Sequence, residues 1–159
     1  EMLDYDKDLS LQIVLKWHKE LINCTQPSIA GKIRNHNVLI SQSKFKPPMH
    51  MELDFLLKEF FDWYKKEKNK IHPVELAALV HLKFVTIHPF TDGNGRISRL
   101  MMNFILKKFD FPLLDIPYLK RNSYYNALER SQVKKDKNIF IQWFFRRYLD
   151  EYKDYYKKI

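Results

Sequence analysis

One stretch of the chain concentrates residue types that handle phosphate: His88, Pro89, Phe90, Thr91, Asp92, Gly93, Asn94, Gly95, Arg96, Ile97, Ser98 and Arg99. Two of the three glycines in the sequence fall here, so the backbone can curl with its amides turned inward just ahead of a new helix. Unpaired N–H groups and the dipole at such a helix start favour an anion, phosphate above all. Arg96 and Arg99 sit three apart on the first turn, where positive charge opposes the dipole and adds no helix stability. A polyanion explains both. Asp92 would repel phosphate directly but anchors it through a bound Mg²⁺, an ion that takes one or two carboxylates together with substrate phosphates. His88 supplies an imidazole whose ordinary pKa, about 6.5, suits a general base at neutral pH. Each feature alone has an ordinary reading: a helix cap for the histidine, a turn for the glycines, a solvated face for the arginines. Their combination does not. The familiar phosphate loops also fail, since there is no G-x-x-x-x-G-K-[ST], and a dinucleotide fingerprint would need glycine where Ser98 stands and a strand before it.

The elements that must position this loop read as helices. Leu9, Ile13, Val14, Trp17 and Leu21 form a helical stripe behind Ser10, a natural N-cap. Leu53, Leu56, Leu57, Phe60, Phe61 and Tyr64 mark the apolar face of another helix. Pro73 suits the first turn of the helix carrying Leu76, Ala77, Val80, Phe84 and Val85 into the loop, and Ile97, Leu100, Met101, Phe104 and Ile105 resume the period after it. Two more helices are predicted over about Leu119–Ser131 and Ile139–Tyr155. Between Thr25 and Met49 the pattern breaks at Pro27, Gly31, Pro47 and Pro48. There Val38, Leu39 and Ile40, flanked by Asn35, Asn37 and Ser41, predict a short β-hairpin. With 159 residues, 45% of them hydrophobic, the chain fits one domain over 1–159, all-α apart from that hairpin.

Lys and Arg number 28 against 19 Asp and Glu, a formal charge of +9, which favours an anionic partner: nucleotide phosphate, nucleic acid or acidic lipid. Lys65, Lys66, Lys68, Lys70, Lys134, Lys135 and Lys137 also read as solvated helix ends. Cys24 is the sole cysteine, which excludes an intrachain disulfide and a cysteine-based zinc site and sets a cytoplasmic location as the expectation. No apolar run approaches the ~18 residues of a membrane span, and the acidic start Glu1 to Asp8 lacks the basic and apolar regions of a signal peptide, so no membrane partner is expected.

His88 to Arg99 reproduces every position of H-x-F-x-[DE]-G-N-G-R-x-x-R, and the chain thereby resembles the Fic (fido) family. The resemblance extends to Ala30, Gly31, Lys32, Ile33 and Arg34 followed by Val38, Leu39 and Ile40, similar to the family's approach to its flap, with Ile33 in place of the usual aromatic. It also takes in His72 and Pro73 before the motif and Arg121, Tyr124 and Tyr125 after it, so that it covers about 11–144. It implies a Fic-type helical bundle that transfers AMP from ATP to a Ser, Thr or Tyr hydroxyl of a target protein, the chain itself included, and releases pyrophosphate. Carried over by residue, it makes His88 the base for the target hydroxyl, with Phe90 packed inward to seat the loop and Asp92 holding Mg²⁺. Gly93, Asn94 and Gly95 cradle the α-phosphate and its developing charge, which makes Asn94 catalytic beside His88. Arg96 grips the β-phosphate and Arg99 the γ-phosphate, and Ser98 joins the nucleotide-binding set. Tyr124 and Gln132, the latter often Asn in the family, fall where adenine is contacted. Val38, Leu39, Ile40 and Ser41 form the flap that pins the target by strand addition.

Alternatives within the resemblance are another nucleotide donor, a kinase-like or phosphocholine-transferring variant, and hydrolytic removal of AMP. The Asn94-Gly95-Arg96 run argues against the kinase-like branch, which has Lys in that loop. From another class, a basic nucleic-acid-binding module would rest on Arg146, Arg147 and Tyr148, but Trp143, Phe144 and Tyr148 read as core at helical spacing, so nucleic acid is not the expected partner. Family members are commonly inhibited by [ST]-x-x-x-E-[GN], whose Glu pairs with the residue equivalent to Arg99. None of the ten Ser and Thr residues here has Glu four positions later. The regulatory segment then lies upstream of Glu1, which is the expectation, belongs to an antitoxin-like inhibitor on a separate chain, or does not exist, and the sequence given is expected to have an open site.

Overall fold

Ser10 opens the first helix as its pattern predicts, its hydroxyl accepting the Ile13 N–H at 3.4 Å. The computed structural model describes residues 7–156. Six α-helices run in chain order: α1 (Leu11–Ile22), α2 (Leu53–Glu67), α3 (Pro73–Ile87), α4 (Asn94–Lys108), α5 (Arg121–Lys134) and α6 (Lys137–Tyr156), with 3₁₀ turns at His50–Glu52 and Tyr118–Lys120. Each spans or overlaps the segment its periodicity predicted.

Helix α3 is the axis of the bundle. It is apolar around nearly its whole circumference, and α2, α4 and α6 pack on it, while α1 lies on α4 and α5 on α6. Small Ala77 and Ala78 let neighbours approach, and Phe84, Phe60 and Phe90 fill the junction with α2 and the following loop. The C-terminus of α3 and the N-terminus of α4 are thereby fixed side by side, with residues 88–93 strung between them. Among the described residues no helix is long and apolar enough to cross a membrane.

The predicted β-hairpin is not formed: no strand occurs among the described residues. Residues 37–40 lead to a turn at Ser41 and Gln42, closed by the Ser43 N–H donating to the Ile40 carbonyl at 3.2 Å. The returning limb has its donors diverted. The Lys44 N–H goes to a Glu129 carboxylate oxygen at 2.9 Å and the Phe45 N–H to the Ser43 hydroxyl at 3.2 Å, while Pro47 and Pro48 have none to offer. A ladder between two short limbs therefore lacks partners, and β propensity in Val38–Ile40 alone cannot supply them. This segment is called the flap below for its shape.

Candidate active site

His88 ends α3. Its backbone is left-handed, with φ 53°, an uncommon state for a residue with a side chain, and its N–H still bonds the Phe84 carbonyl at 3.1 Å. The ring folds back so that Nδ1 lies 3.2 Å from the Val85 carbonyl. A carbonyl only accepts, so Nδ1 carries the proton and the Nε2 lone pair is left for other work. Burial pushes the imidazole below its ordinary pKa, the Val85 carbonyl pulls the other way, and the Arg34 charge adds to the lowering. His88 is therefore a neutral base at pH 7.

The loop after it is closed by Asn94. Its side-chain oxygen accepts the Phe90 N–H at 2.9 Å and its amide donates to the Phe90 carbonyl at 2.7 Å, both bonds buried. The side chain of Asn94 is thus occupied within the loop, and what it presents outward is its backbone N–H. The Phe90 ring is fully buried and stacks on His18 of α1 at 3.7 Å between centroids. His18 has both ring nitrogens engaged: Nδ1 accepts the Gly31 N–H at 2.9 Å and Nε2 donates to the Asp92 carbonyl at 3.0 Å. Burial holds its pKa below the ordinary value, in keeping with that neutral tautomer.

Gly93 begins α4 with φ 83°, and a Cβ there would meet Ile22 at 3.1 Å and His18 at 3.4 Å. The Gly93 carbonyl takes the Ile97 N–H at 2.9 Å, and the N–H groups of Asn94, Gly95 and Arg96 at the helix start have no acceptor among the described residues. A Cβ on Gly95 would touch only an Arg99 nitrogen, at 3.5 Å, so the space over these amides is open. Asp92 accepts the Gly93 N–H at 2.5 Å on one oxygen, and Gln26 at 2.8 Å and Arg96 at 3.1 Å on the other. Burial works against ionisation, but the bonds from Gly93, Gln26 and Arg96 prevail and hold the carboxyl below its usual range.

A cavity of about 780 Å³ faces this loop, lined by Ile40 to Ser43 of the flap, His88, Gly95 and Arg99, and by Tyr124, Tyr125, Glu129 and Gln132 of α5. Arg99 lies beside the Tyr124 hydroxyl, which hydrogen-bonds His81 Nε2 at 3.0 Å. Burial first, and then the Arg99 charge, push His81 down to about 3, so the floor under Arg99 is neutral. Burial pushes the Tyr124 phenol up to about 12. Gln132, on the cavity wall, donates its amide to the Thr86 hydroxyl behind it at 3.1 Å.

The structure thus brings His88, Gly95, Arg99, Tyr124, Gln132, Ile40 and Ser41 onto one cavity, with Asp92 and Gly93 on the loop and Asn94 and Arg96 on the first turn of α4 beside it. Leu39 projects to solvent, 82% exposed, next to Val38 on the incoming limb of the flap. Ser98 is not brought to the cavity. It is fully buried and its hydroxyl donates to the Asn94 carbonyl at 2.7 Å, one turn back in α4. Sequence reasoning missed His18, Gln26, Arg34, His81 and Glu129. His18 and His81 left one local signal, each being a histidine four residues from an apolar stripe member, Val14 and Ala77.

Residues 8–106 match the model of the Fic/DOC family. The chain belongs to that family. It is 35% identical over 131 residues to a protein adenylyltransferase Fic of Nematostella vectensis, covering 82% of this chain and 30% of the relative. With the protein of the same name from Drosophila yakuba it shares 37% over 123 residues, covering 77% and 24%. Its fold matches that of Fic-1 from C. elegans with a TM-score of 0.83 at 29% identity, covering 95% of this chain and 44% of that one. The chain thus spans less than a third of the length of these curated relatives.

Proposed function

We propose that this chain is the catalytic core of a protein adenylyltransferase, moving AMP from ATP to a Ser, Thr or Tyr hydroxyl of a protein. The observation that carries the reading is a neutral His88 with Nε2 free, set on one cavity with the unpaired N–H groups of α4. The relatives named protein adenylyltransferase Fic support ATP as the donor.

In this reading the target hydroxyl oxygen attacks the α-phosphorus and its proton passes to His88 Nε2. The bond from that phosphorus to the bridging oxygen breaks, and pyrophosphate leaves. The amides of Asn94, Gly95 and Arg96 donate to the α-phosphate oxygens as charge builds there, a preorganised role that needs no side-chain function from Asn94. Arg96 exchanges Asp92 for the β-phosphate and Arg99 holds the γ-phosphate, while Tyr124 and Gln132 border the base. The donor set suits magnesium. Asp92 is ionised and exposed, and no cluster of three or more metal-ligating side chains occurs among the described residues, so phosphates and water would complete the shell. When bound, the ion neutralises phosphate charge.

Val38 to Ser41 would seat the target segment along the flap by main-chain pairing. The acceptor includes the chain itself. Among the described residues no carboxylate pairs with Arg99, so the site is open, and an inhibitory carboxylate would come from other parts of a longer protein or from an antitoxin-like partner.

The test is incubation with Mg²⁺, a cell lysate and each of ATP, CTP, GTP and UTP labelled at the α-phosphorus. Covalent label on protein from ATP is expected, with pyrophosphate in equal amount. Label from the γ-phosphorus, or from another nucleotide alone, would replace this reading.

A further inference from the structure

Arg34 was met in the sequence only as a neighbour of the flap, and nothing in the chemistry above uses it. Its side chain is 3% exposed, yet no carboxylate neutralises it among the described residues. Every bond it makes goes to a backbone carbonyl: Nε to His88 at 2.9 Å, one terminal nitrogen to His36 at 2.9 Å, the other to Pro48 at 2.7 Å. Its own N–H donates to the Pro89 carbonyl at 3.0 Å. A buried charge without a counter-ion is a costly way to close a loop, and burial lowers its pKa accordingly.

The three acceptors explain the choice. His36 lies on the limb entering the flap, Pro48 on the limb leaving it, and His88 is the residue proposed to take the proton. A guanidinium is planar and rigid, so it ties these carbonyls together in a fixed fork that an ammonium cannot reproduce. The bond at His88 also falls on a residue held at φ 53°, an uncommon backbone state for a residue with a side chain. If the flap base shifts while the end of α3 stays, at least one of the three bonds breaks.

We propose that Arg34 is a positioning residue that couples the seat of the flap to the orientation of His88, so that a target segment pressed onto the flap also sets the base. This rests on the adenylyltransferase reading for its purpose, but the coupling itself is a property of the free protein and is measured there.

Two variants separate coupling from simple bracing. Arg34→Lys keeps the charge and loses the fork. Asn37→Ala removes the clasp at the flap base, where the Asn37 side-chain oxygen accepts the His50 N–H at 2.9 Å and the His50 ring Nδ1 lies 3.1 Å away, and it can reach His88 only through Arg34. Both are compared with the parent by backbone NMR order parameters and by the ¹⁵N shifts of the His88 imidazole, with no nucleotide present.

Arg34→Lys is expected to lower the order parameters of residues 36–48 below about 0.6 and to shift His88 from a single tautomer toward a mixture, with α3 and α4 unchanged. Asn37→Ala is expected to loosen the flap and, through Arg34, to move the His88 shifts in the same direction by a smaller amount; a loosened flap with unmoved His88 shifts would overturn the coupling. In the transfer assay Arg34→Lys should lose at least about tenfold in rate with MgATP affinity changed less than twofold. Unchanged His88 shifts in Arg34→Lys would overturn the coupling, as would a uniform loss of order in every helix. If the parent transfers nothing, the adenylyltransferase reading fails while the NMR comparison still decides the coupling.

Discussion

The two walls of the active-site cavity are built differently. On the loop side, residues 88–94 are tied down by a set of specific bonds: Phe90 to Asn94 in both directions, Asp92 to His18 and Gln26, His88 to Val85 and Arg34. Among the described residues the groups with no protein partner include His88 Nε2 and, at the start of α4, the N–H donors of Asn94, Gly95 and Arg96. On the flap side, the N–H groups of Val38, Leu39 and Ile40 have no acceptor among the described residues, and one turn bond and the Glu129 contact hold the tip. The loop is preorganised for one charge distribution, while the flap keeps main-chain valence for a partner of varying sequence. In the proposed reaction, rigidity is placed where the transition state would form and adaptability where the acceptor would arrive.

That contrast can be broken most strongly at His88. His88→Ala should lower transfer by about 10² to 10⁴ fold with nucleotide affinity nearly intact, read by labelled-ATP kinetics and by calorimetry. Wild-type transfer in that variant would remove the base from the mechanism.

The two glycines sharpen the comparison within the loop. Gly93→Ala meets Ile22 and His18 at a positive φ and should cost about 1–3 kcal/mol of stability, visible as a lower Tm. Gly95→Ala fits the free protein without strain, so its Tm should hold while affinity for ATP falls, because the new methyl occupies the anion's space. A shared loss of Tm would mean that the cradle is closed already.

A smaller effect should follow from pH. His18, His81 and His88 are all depressed in the folded protein, His81 to about 3. Folding therefore gains from each above the unfolded value of about 6.5, and that gain is lost progressively as pH falls below it, since the unfolded chain then binds more protons. Denaturant midpoints measured from pH 7.5 to 5 should decline. The acid limb of the transfer rate should likewise lie below about 6.5, because a base with a lowered pKa stays neutral further into acid.

Least of all should change on the flap. Leu39→Ala is expected to leave Tm within about 1 °C and nucleotide affinity unaltered, as an exposed side chain predicts, while KM for a protein acceptor rises a few fold. A large loss of stability would place Leu39 in the fold rather than at the target.

The same contrast decides what could be read from sequence. The helices announced themselves through spacing, and His88 to Arg99 through residue types in one short run. Ser98 misled because membership of a motif does not say which way a hydroxyl points; within a helix the carbonyl one turn back is the nearest acceptor. The hairpin misled because local β propensity was judged without knowing where the returning limb's donors would go. His18 and Arg34 were illegible as site residues because their partners lie 74 and 54 positions away, and no period records such a bond.

One detail of α3 governs how an inert form should be made. His88 is both proposed proton acceptor and left-handed terminal residue of its helix. Alanine removes the first property and adds strain at the second, a strain that a better-suited residue avoids. Asparagine tolerates the left-handed region far better and has no basic nitrogen. His88→Asn is accordingly the variant for a stalled ternary complex, in which ATP and an acceptor remain bound long enough for the acceptor to be isolated and identified.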